Sequence, residues 1–258
     1  MRIATWNVNS VRIRQERLLA WLGRHQPDLL CLQELKAVEA EFPWQAVADA
    51  GYQAAVVGQK TYNGVAVLTK QPCEVLAKTW THGDEDPQAR LLDVRFGGVR
   101  VLSLYVPNGS EVDSDKFVYK RAWLDRLIDH LERTARPDEL LALCGDFNIA
   151  PTDLDARNPA AWRDSVLCCD AIRGDWQRLL GWGLTDVVRQ IHPTERLYSW
   201  WDYRNLGFIK NDGLRIDHVL ATAPLAALAQ TAFVDRDERK GGKPSDHAPV
   251  VVDFALPT

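Results

Sequence analysis

Residues 240–254 read KGGKPSDHAPVVVDF: a charged, glycine-broken loop, the triplet Ser245-Asp246-His247, then an apolar run closed by Phe254. Such a run has the composition of a strand covered on both faces. An ionisable pair at the mouth of a covered strand needs partners, because a buried charge is costly unless it is paired or holds a ligand. Whether these residues mark a site therefore depends on how the other strands end.

Strand signals recur as RIATWNV, DLLCLQE, YQAAVVG, GVAVLTK, LLDVRF, VRVLSLYV, LLALCGDF, YSWWDY, RIDHVLA and APVVVDF. Five of them finish or open on polar groups that a core strand should not carry. TWNVNS ends in Asn7 and Asn9, and LLCLQELK in Glu34. LSLYVPN ends in Tyr105 and Asn108, and LALCGDFNIAP in Asp146 and Asn148. LRIDHVL carries Asp217. Each alone is an ordinary turn residue, cap or ion-pair partner: Asp217 could pair with Arg215, and Gly-Asp-Phe-Asn could be a turn. Together with Asp246 and His247 they gather carboxylates, amides, a phenol and an imidazole at strand termini, where layered α/β folds place their ligands.

Helix signals are fewer. Ser10 could precede a helix through RQERLLAWLGRH with Leu18, Leu19 and Leu22 on one side. Pro43 suits the start of FPWQAVADAG. DKFVYKRAWLDRLIDHLERTA is the longest periodic stretch, and DWQRLLGWG ends at glycine. Adjacent strands often lack a helix between them, so the fold class is α/β with two packed mixed sheets flanked by helices. No linker, low-complexity stretch or clear repeat divides residues 1–258, which are expected to form one domain.

The bulk numbers agree. Hydrophobic residues are 46% of the 258, enough for a large core. Lys and Arg number 31 against 35 Asp and Glu, a net charge of −4, which leaves room for a basic face beside an acidic pocket. Five cysteines, with no CxxC pair and an adjacent Cys168-Cys169, predict a reducing, cytoplasmic setting; Cys31 and Cys144 read as core. No signal-peptide pattern and no membrane-length apolar run is present. No self-association stripe stands out, so a monomer is expected.

Several carboxylates with amide oxygens suit Mg²⁺ or Mn²⁺. Zinc has no His/Cys cluster to hold it, since His25, His82, His130, His192 and His218 are scattered and read mostly as surface. An Asp–His pair can hold an imidazole charged beside a phosphate. Asn and Tyr donors can stabilise charge on phosphoryl oxygens. The set is equipment for metal-assisted phosphoester hydrolysis.

WNVNS, LQELK, YVPNG, GDFNIAP, LRIDHVL and SDHAPV, in this order across nearly the whole chain, resemble the endonuclease/exonuclease/phosphatase superfamily, and within it the exonuclease III class of abasic-site endonucleases. The resemblance implies a four-layered α/β sandwich with its site at the top of two facing sheets. It implies Glu34 as the main metal carboxylate with Asn7 in its shell, and Asp246 in the metal site or in the network of residues behind it. It implies that Asp146 activates or positions the attacking water and that Asn148 orients it or stabilises the transition state. Asp217 orients His247, which contacts the scissile phosphate, and Tyr105 donates to that phosphate or supports the leaving group. Asp146, Asn148 and His247 are thus also candidate metal-site residues. Whether Asp146 or His247 is the base, and whether one metal or two bind, stays open. Asn9 stands where some relatives carry Asp, which would thin the metal shell.

The implied activity is Mg²⁺-dependent cleavage 5′ to abasic sites in duplex DNA, with 3′-end trimming and 3′→5′ exonuclease action. A nonspecific deoxyribonuclease or a small-polyanion phosphatase would use the same catalytic set. Trp200, Leu214 and Ile216 are expected to line a tight pocket for a flipped, baseless sugar. By strand alternation, only one of Trp200 and Trp201 points into the core. Arg12, Arg14, Lys36, Tyr62, Asn63, Asn108, Lys116 and Lys120 are expected along the DNA backbone, with Arg204 of YRNLGF at a groove.

Overall fold

The computed structural model describes residues 1–83 and 86–256. These form β1 (Arg2–Asn7), β2 (Leu29–Gln33), β3 (Gln53–Val57), β4 (Val65–Thr69), β5 (Glu74–Ala77), β6 (Leu91–Phe96), β7 (Val99–Tyr105), β8 (Leu141–Asp146), β9 (Leu184–Asp186), β10 (Asp217–Thr222), β11 (Ala229–Val234) and β12 (Val250–Phe254). One sheet has the order β11-β12-β1-β2-β4-β3 and the other β5-β6-β7-β8-β10-β9. In each, the central pair is parallel (β1 with β2, β7 with β8) and the other pairs are antiparallel. The two sheets therefore share one topology, a repeat that the sequence conceals.

Period-2 alternation builds the layers. Ile3, Leu29, Val67, Val101, Cys144, Val219 and Val252 meet in the core that contains residues of both sheets. The alternate positions point outward. Ala4, Trp6, Leu30 and Leu32 pack with Leu18, Trp21 and Leu22 of the helix Gln15–His25. Leu102, Leu104, Leu141 and Leu143 pack with Trp123, Leu124 and Leu127 of the helix Asp115–Thr134 and with Ile172 and Trp176 of the helix Asp170–Gly181. The result is helix, sheet, sheet, helix.

The inward-facing rows position the site. Past the apolar core they continue as Thr5 then Asn7 on β1, Gln33 on β2, Ser103 then Tyr105 on β7, Asp146 on β8 and Asp217 on β10. Asn7 lies opposite Gln33, and Tyr105 and Asp217 both lie opposite Asp146. A row that is apolar in the middle thus turns polar at one end.

Three expectations are corrected. YSWWDY is not a strand: Trp200 makes only single bridges, to Leu214 and His247. The strands β5, β9 and β11 escaped the sequence pattern because all lie at sheet edges, where one side needs no cover. Ser10 does not cap the first helix, which starts at Gln15 after Arg14 with no side-chain cap; Trp21 joins its buried face and Leu19 is only half-buried. Cys31 and Cys144 are buried, as expected, and all five cysteines are free thiols.

Candidate active site

Glu34 follows β2 in a left-handed turn (φ 52°), and Asn148 follows β8 in another (φ 52°). A left-handed non-glycine residue costs roughly 1–3 kcal/mol and persists only where its surroundings fix it. Here they do. The Glu34 carboxylate accepts from Asn7 Nδ2 at 2.9 Å and from Tyr105 Oη at 2.8 Å, and it pairs with Lys36 Nζ at 2.9 Å. Asn148 N–H donates to Asp146 Oδ1 at 2.9 Å, its Nδ2 donates to Val106 O at 3.0 Å, and its Oδ1 accepts from Asn108 at 2.9 Å. One N–H of that amide is left for a ligand.

Glu34, Asp146 and His247 each offer a ligand atom within 4.8 Å of the others, from both sheets. His247 Nδ1 lies 2.9 Å from Asp217 Oδ2, and Asp217 also accepts from Ser199 Oγ at 2.6 Å. His247 Nε2 faces Asp146 Oδ2 at 3.7 Å. Arg215 does not compete for Asp217: it binds Asp155 and Asp186, each at 2.8 Å. Burial alone would discharge His247, but Asp217 and Asp146 reverse this and raise its pKa to about 10. Burial pushes Asp146 up to about 7; His247 opposes the shift and Asp217 adds to it. Burial would raise Glu34 too, yet Lys36, Asn7 and His247 carry it below the ordinary carboxylate range. Burial and the Glu34 charge keep Tyr105 protonated, a donor throughout the neutral range.

Asn7 presents its amide, not its oxygen, to the carboxylates: Nδ2 bridges Glu34 and Asp146, while Oδ1 accepts from Asn9 N–H. The reverse orientation would set an oxygen against two carboxylates. Asn7 therefore bridges the acidic pair through its amide, beside Glu34 where the resemblance placed it. Asp246 takes Asn9 Nδ2 on one oxygen at 2.8 Å and Trp200 Nε1 on the other at 3.1 Å. Burial pushes Asp246 up, but His247, Asn9 and Trp200 hold it below the usual range.

Glu34, Asp146, Asn148, Asp246 and His247 line a cleft of about 190 Å³ with Tyr105, Asn108, Leu167, Trp200 and Ile216. Two wider recesses of about 480 Å³ flank it, and Asn108 lines all three. One recess carries Tyr62, Asn63, Arg90 and Lys116; the other carries Trp162, Asp164, Trp200, Asp202 and Arg204. Trp200 faces the cleft and Trp201 is buried, one each way as expected, although the segment is not a strand.

Several expected contacts fall elsewhere. Leu214 is wholly buried in the core under Trp200 and lines no wall of the cleft. Lys120 is not on the surface; its amine is bonded to three backbone carbonyls. Arg14 is buried against Asn9 O, Tyr203 Oη and Pro244 O. Lys36 is committed to Glu34 and to Asn9 Oδ1. Arg12 is exposed beside Glu41, and Arg204 is exposed but forked onto Asp202. His130 and His218 are buried, not surface groups. Sequence reasoning missed Ser199, Leu167 and Arg90, whose guanidinium lies 4.7 Å from the Tyr105 ring centre. Only Arg90, opening a strand as His247 does, left any signal. Among the described residues no helix is long and apolar enough to cross a membrane.

Two facing sheets with a carboxylate-imidazole cluster at one rim define a layered phosphoester-hydrolysing architecture, and the chain belongs to the endonuclease/exonuclease/phosphatase family, whose model matches residues 4–247. Within it the chain is 36% identical to the exodeoxyribonuclease III of Haemophilus influenzae, over 98% of this chain and all of that one. It superposes on an AP endonuclease from Archaeoglobus fulgidus with a TM-score of 0.96 and 37% identity, covering 99% of this chain and 100% of the other. A 3′ phosphatase from Neisseria, solved bound to product DNA hairpin, gives 0.94 and 40% over the same shares.

Proposed function

We propose that this chain is a divalent-metal-dependent DNA repair nuclease that cleaves duplex DNA 5′ to abasic sites and trims blocked 3′ ends. The observation that carries the reading is the convergence of Glu34, Asp146 and the Asp217-held His247 beside a cleft walled by Trp200, Ile216 and Leu167. The cleft suits a sugar or terminal phosphate and is small for a nucleotide with its base.

The donor set fits Mg²⁺ or Mn²⁺. Glu34 is an ionised oxygen donor, Asp146 faces it across Asn7, and the cluster contains no thiolate. Glu34 and Asp146 would hold the ion, which supplies Lewis-acid polarisation of the phosphate. His247 is better suited to the phosphate than to the metal, because a protonated imidazole has no free lone pair. Held charged by Asp217, it donates from Nε2 to a non-bridging oxygen, where the interaction grows as negative charge develops. Asp146, with its raised affinity for a proton, accepts one from water. Tyr105 steadies Glu34, and Asn148 offers its remaining N–H. The basic recess with Arg90 and Lys116 takes the DNA backbone. The protein works as a soluble cytoplasmic monomer.

A 3′-phosphatase without abasic-site cleavage is the second reading, favoured by the likeness to the 3′ phosphatase from Neisseria and by Leu167 and Ile216 lining a cleft of about 190 Å³. Purified protein should be assayed with Mg²⁺ on an abasic duplex, a nick bearing a 3′-phosphate, and an inositol phosphate. The first two should be processed and the third spared, with EDTA abolishing turnover. Glu34→Gln should weaken the apparent Mg²⁺ affinity and cut turnover by roughly 10²-fold while keeping the fold. Turnover of only the nick leaves the phosphatase; turnover of the inositol phosphate alone removes the DNA reading.

A further inference from the structure

Lys120 is wholly buried in the helix Asp115–Thr134, on the stripe that also buries Phe117, Leu124, Leu127 and Leu131. Its Nζ lies 3.1 Å from Asn108 O, 2.6 Å from Asn148 O and 2.7 Å from Val166 O. The three acceptors come from three separate segments: the loop after β7, the loop after β8 and the segment leading into the helix Asp170–Gly181. All three border the catalytic cleft, through Asn108, Asn148 and Leu167. The chain makes room for the lysine. Gly109 adopts φ 97°, and a Cβ there would come within 3.1 Å of Lys120 Cδ.

Three carbonyls converging on one nitrogen match the three N–H groups of an ammonium. Keeping a lysine head in the interior is costly, so a merely space-filling role would be served better by leucine or methionine. What the amine adds is a fixed spacing between three loops that otherwise have few regular backbone bonds between them. Two of the three carbonyls belong to the very asparagines whose side chains meet at 2.9 Å beside Asp146.

We propose that Lys120 is a positioning residue for the reaction, holding Asn148 and Asn108 in register with Asp146 through their own carbonyl oxygens. Its amine is enclosed by the three carbonyls and reaches no solvent. It rigidifies the rim of the cleft, where a displacement of about 1 Å can cost 10²-fold in rate. The inference rests on the nuclease or phosphatase reading of the same site.

The test is a double-mutant cycle between Lys120→Met and Asn148→Ala, measured by single-turnover cleavage at saturating enzyme, well below the melting temperature of each variant. Duplex affinity is measured in parallel at two salt concentrations. Lys120→Met alone is expected to slow cleavage by roughly 10²-fold with Kd changed less than about 3-fold. In the Asn148→Ala background the same change should cost less than about 3-fold, because the group it positions is gone. Lys120→Gln, which keeps two donors, should lose roughly 10-fold and stands in if the Met variant fails to fold. Equal losses in both backgrounds, or parent-like cleavage by either Lys120 variant, would overturn the proposal. Weakened binding with a shallower salt dependence would instead make Lys120 a backbone contact. A parent inactive on both DNA substrates defeats the functional reading itself; an active parent with additive losses defeats only the role of Lys120.

Discussion

At the residue scale, the site turns on a proton. His247 and Asp146 share one buried environment, and Asp217 biases where the charge sits. The interacting groups titrate together, so their pKa values appear as macroscopic limbs of a rate profile. With imidazolium and carboxylate as the working pair, activity should fall as pH rises through about 10, while a cation held by Glu34 and Asp146 would carry the acidic limb below the metal-free value of about 7 for Asp146. Asp217 is the strongest influence raising His247, ahead of Asp146. Asp217→Asn should therefore move the alkaline limb toward neutrality by at least about one pH unit, equivalent to about 1.4 kcal/mol. The sign for stability follows the same charge. Because His247 is raised from 6.5 to about 10, its contribution is fully present below pH 6.5 and is lost as pH rises through about 10. Kinetics from pH 5 to 11 on both proteins would show an unmoved alkaline limb if Asp217 were only structural.

At the scale of elements, the catalytic strand β10 is held by a network that takes no part in chemistry. Arg215, wholly buried, binds Asp155 at 2.8 Å and forks onto Asp186, and its Nη1 meets His218 Nδ1 at 3.0 Å. His218 Nε2 in turn reaches Ile149 O, one residue past Asn148. Burial would raise Asp155, but Arg215 brings it down to about 2. That contribution is present above pH 3.8 and lost as pH falls through about 2. Removing the cation strands the buried Asp186 carboxylate and leaves Asp155 with Arg189 alone, so Arg215→Ala should cost about 3–5 kcal/mol. Urea unfolding at pH 7 measures this, and a loss under about 1 kcal/mol would mean that water reaches the carboxylates. The same strand explains why Asp217 is free for His247: two residues earlier, Arg215 already has both its acids.

At the scale of the whole molecule, neither sheet is made from one half of the chain. β1 pairs with β12, and β12 brings Asp246 and His247 to carboxylates placed by β2 and β8. Truncation after Thr222 would remove β11 and β12, bare one edge of β1 and uncover Ile3 and Val219 in the core between the sheets. We expect no cooperative unfolding from that fragment, while the full chain melts in a single transition as one domain. Calorimetry of both proteins decides it; a fragment with its own sharp transition would show that the sheets fold separately.

Much of this was legible because it is local. Central strands covered on both faces must be apolar for their whole length, so Asn7, Tyr105, Asp146 and Asp217 stood out at their ends, and Asp246 and His247 at the mouth of β12. Adjacent Trp200 and Trp201 were expected to face opposite ways, and they do, although the segment is not a strand. What the sequence could not decide was which side of an element the remaining chain would cover. Lys120 has the spacing of its helix's buried stripe, yet only the meeting of three loops shows that carbonyls await it. Edge strands such as β5 and β11 carry half the usual burial and so half the usual pattern. Leu214 and Ile216 look alike in sequence and share one core, and only tertiary packing brings Ile216 to the cleft as well. The sequence by itself determined the strand ends and the chemistry they carry, because period and polarity are written residue by residue. The tertiary structure alone decided which polar groups face substrate and which hold one another, because that choice depends on contacts between segments as far apart as β1 and β12.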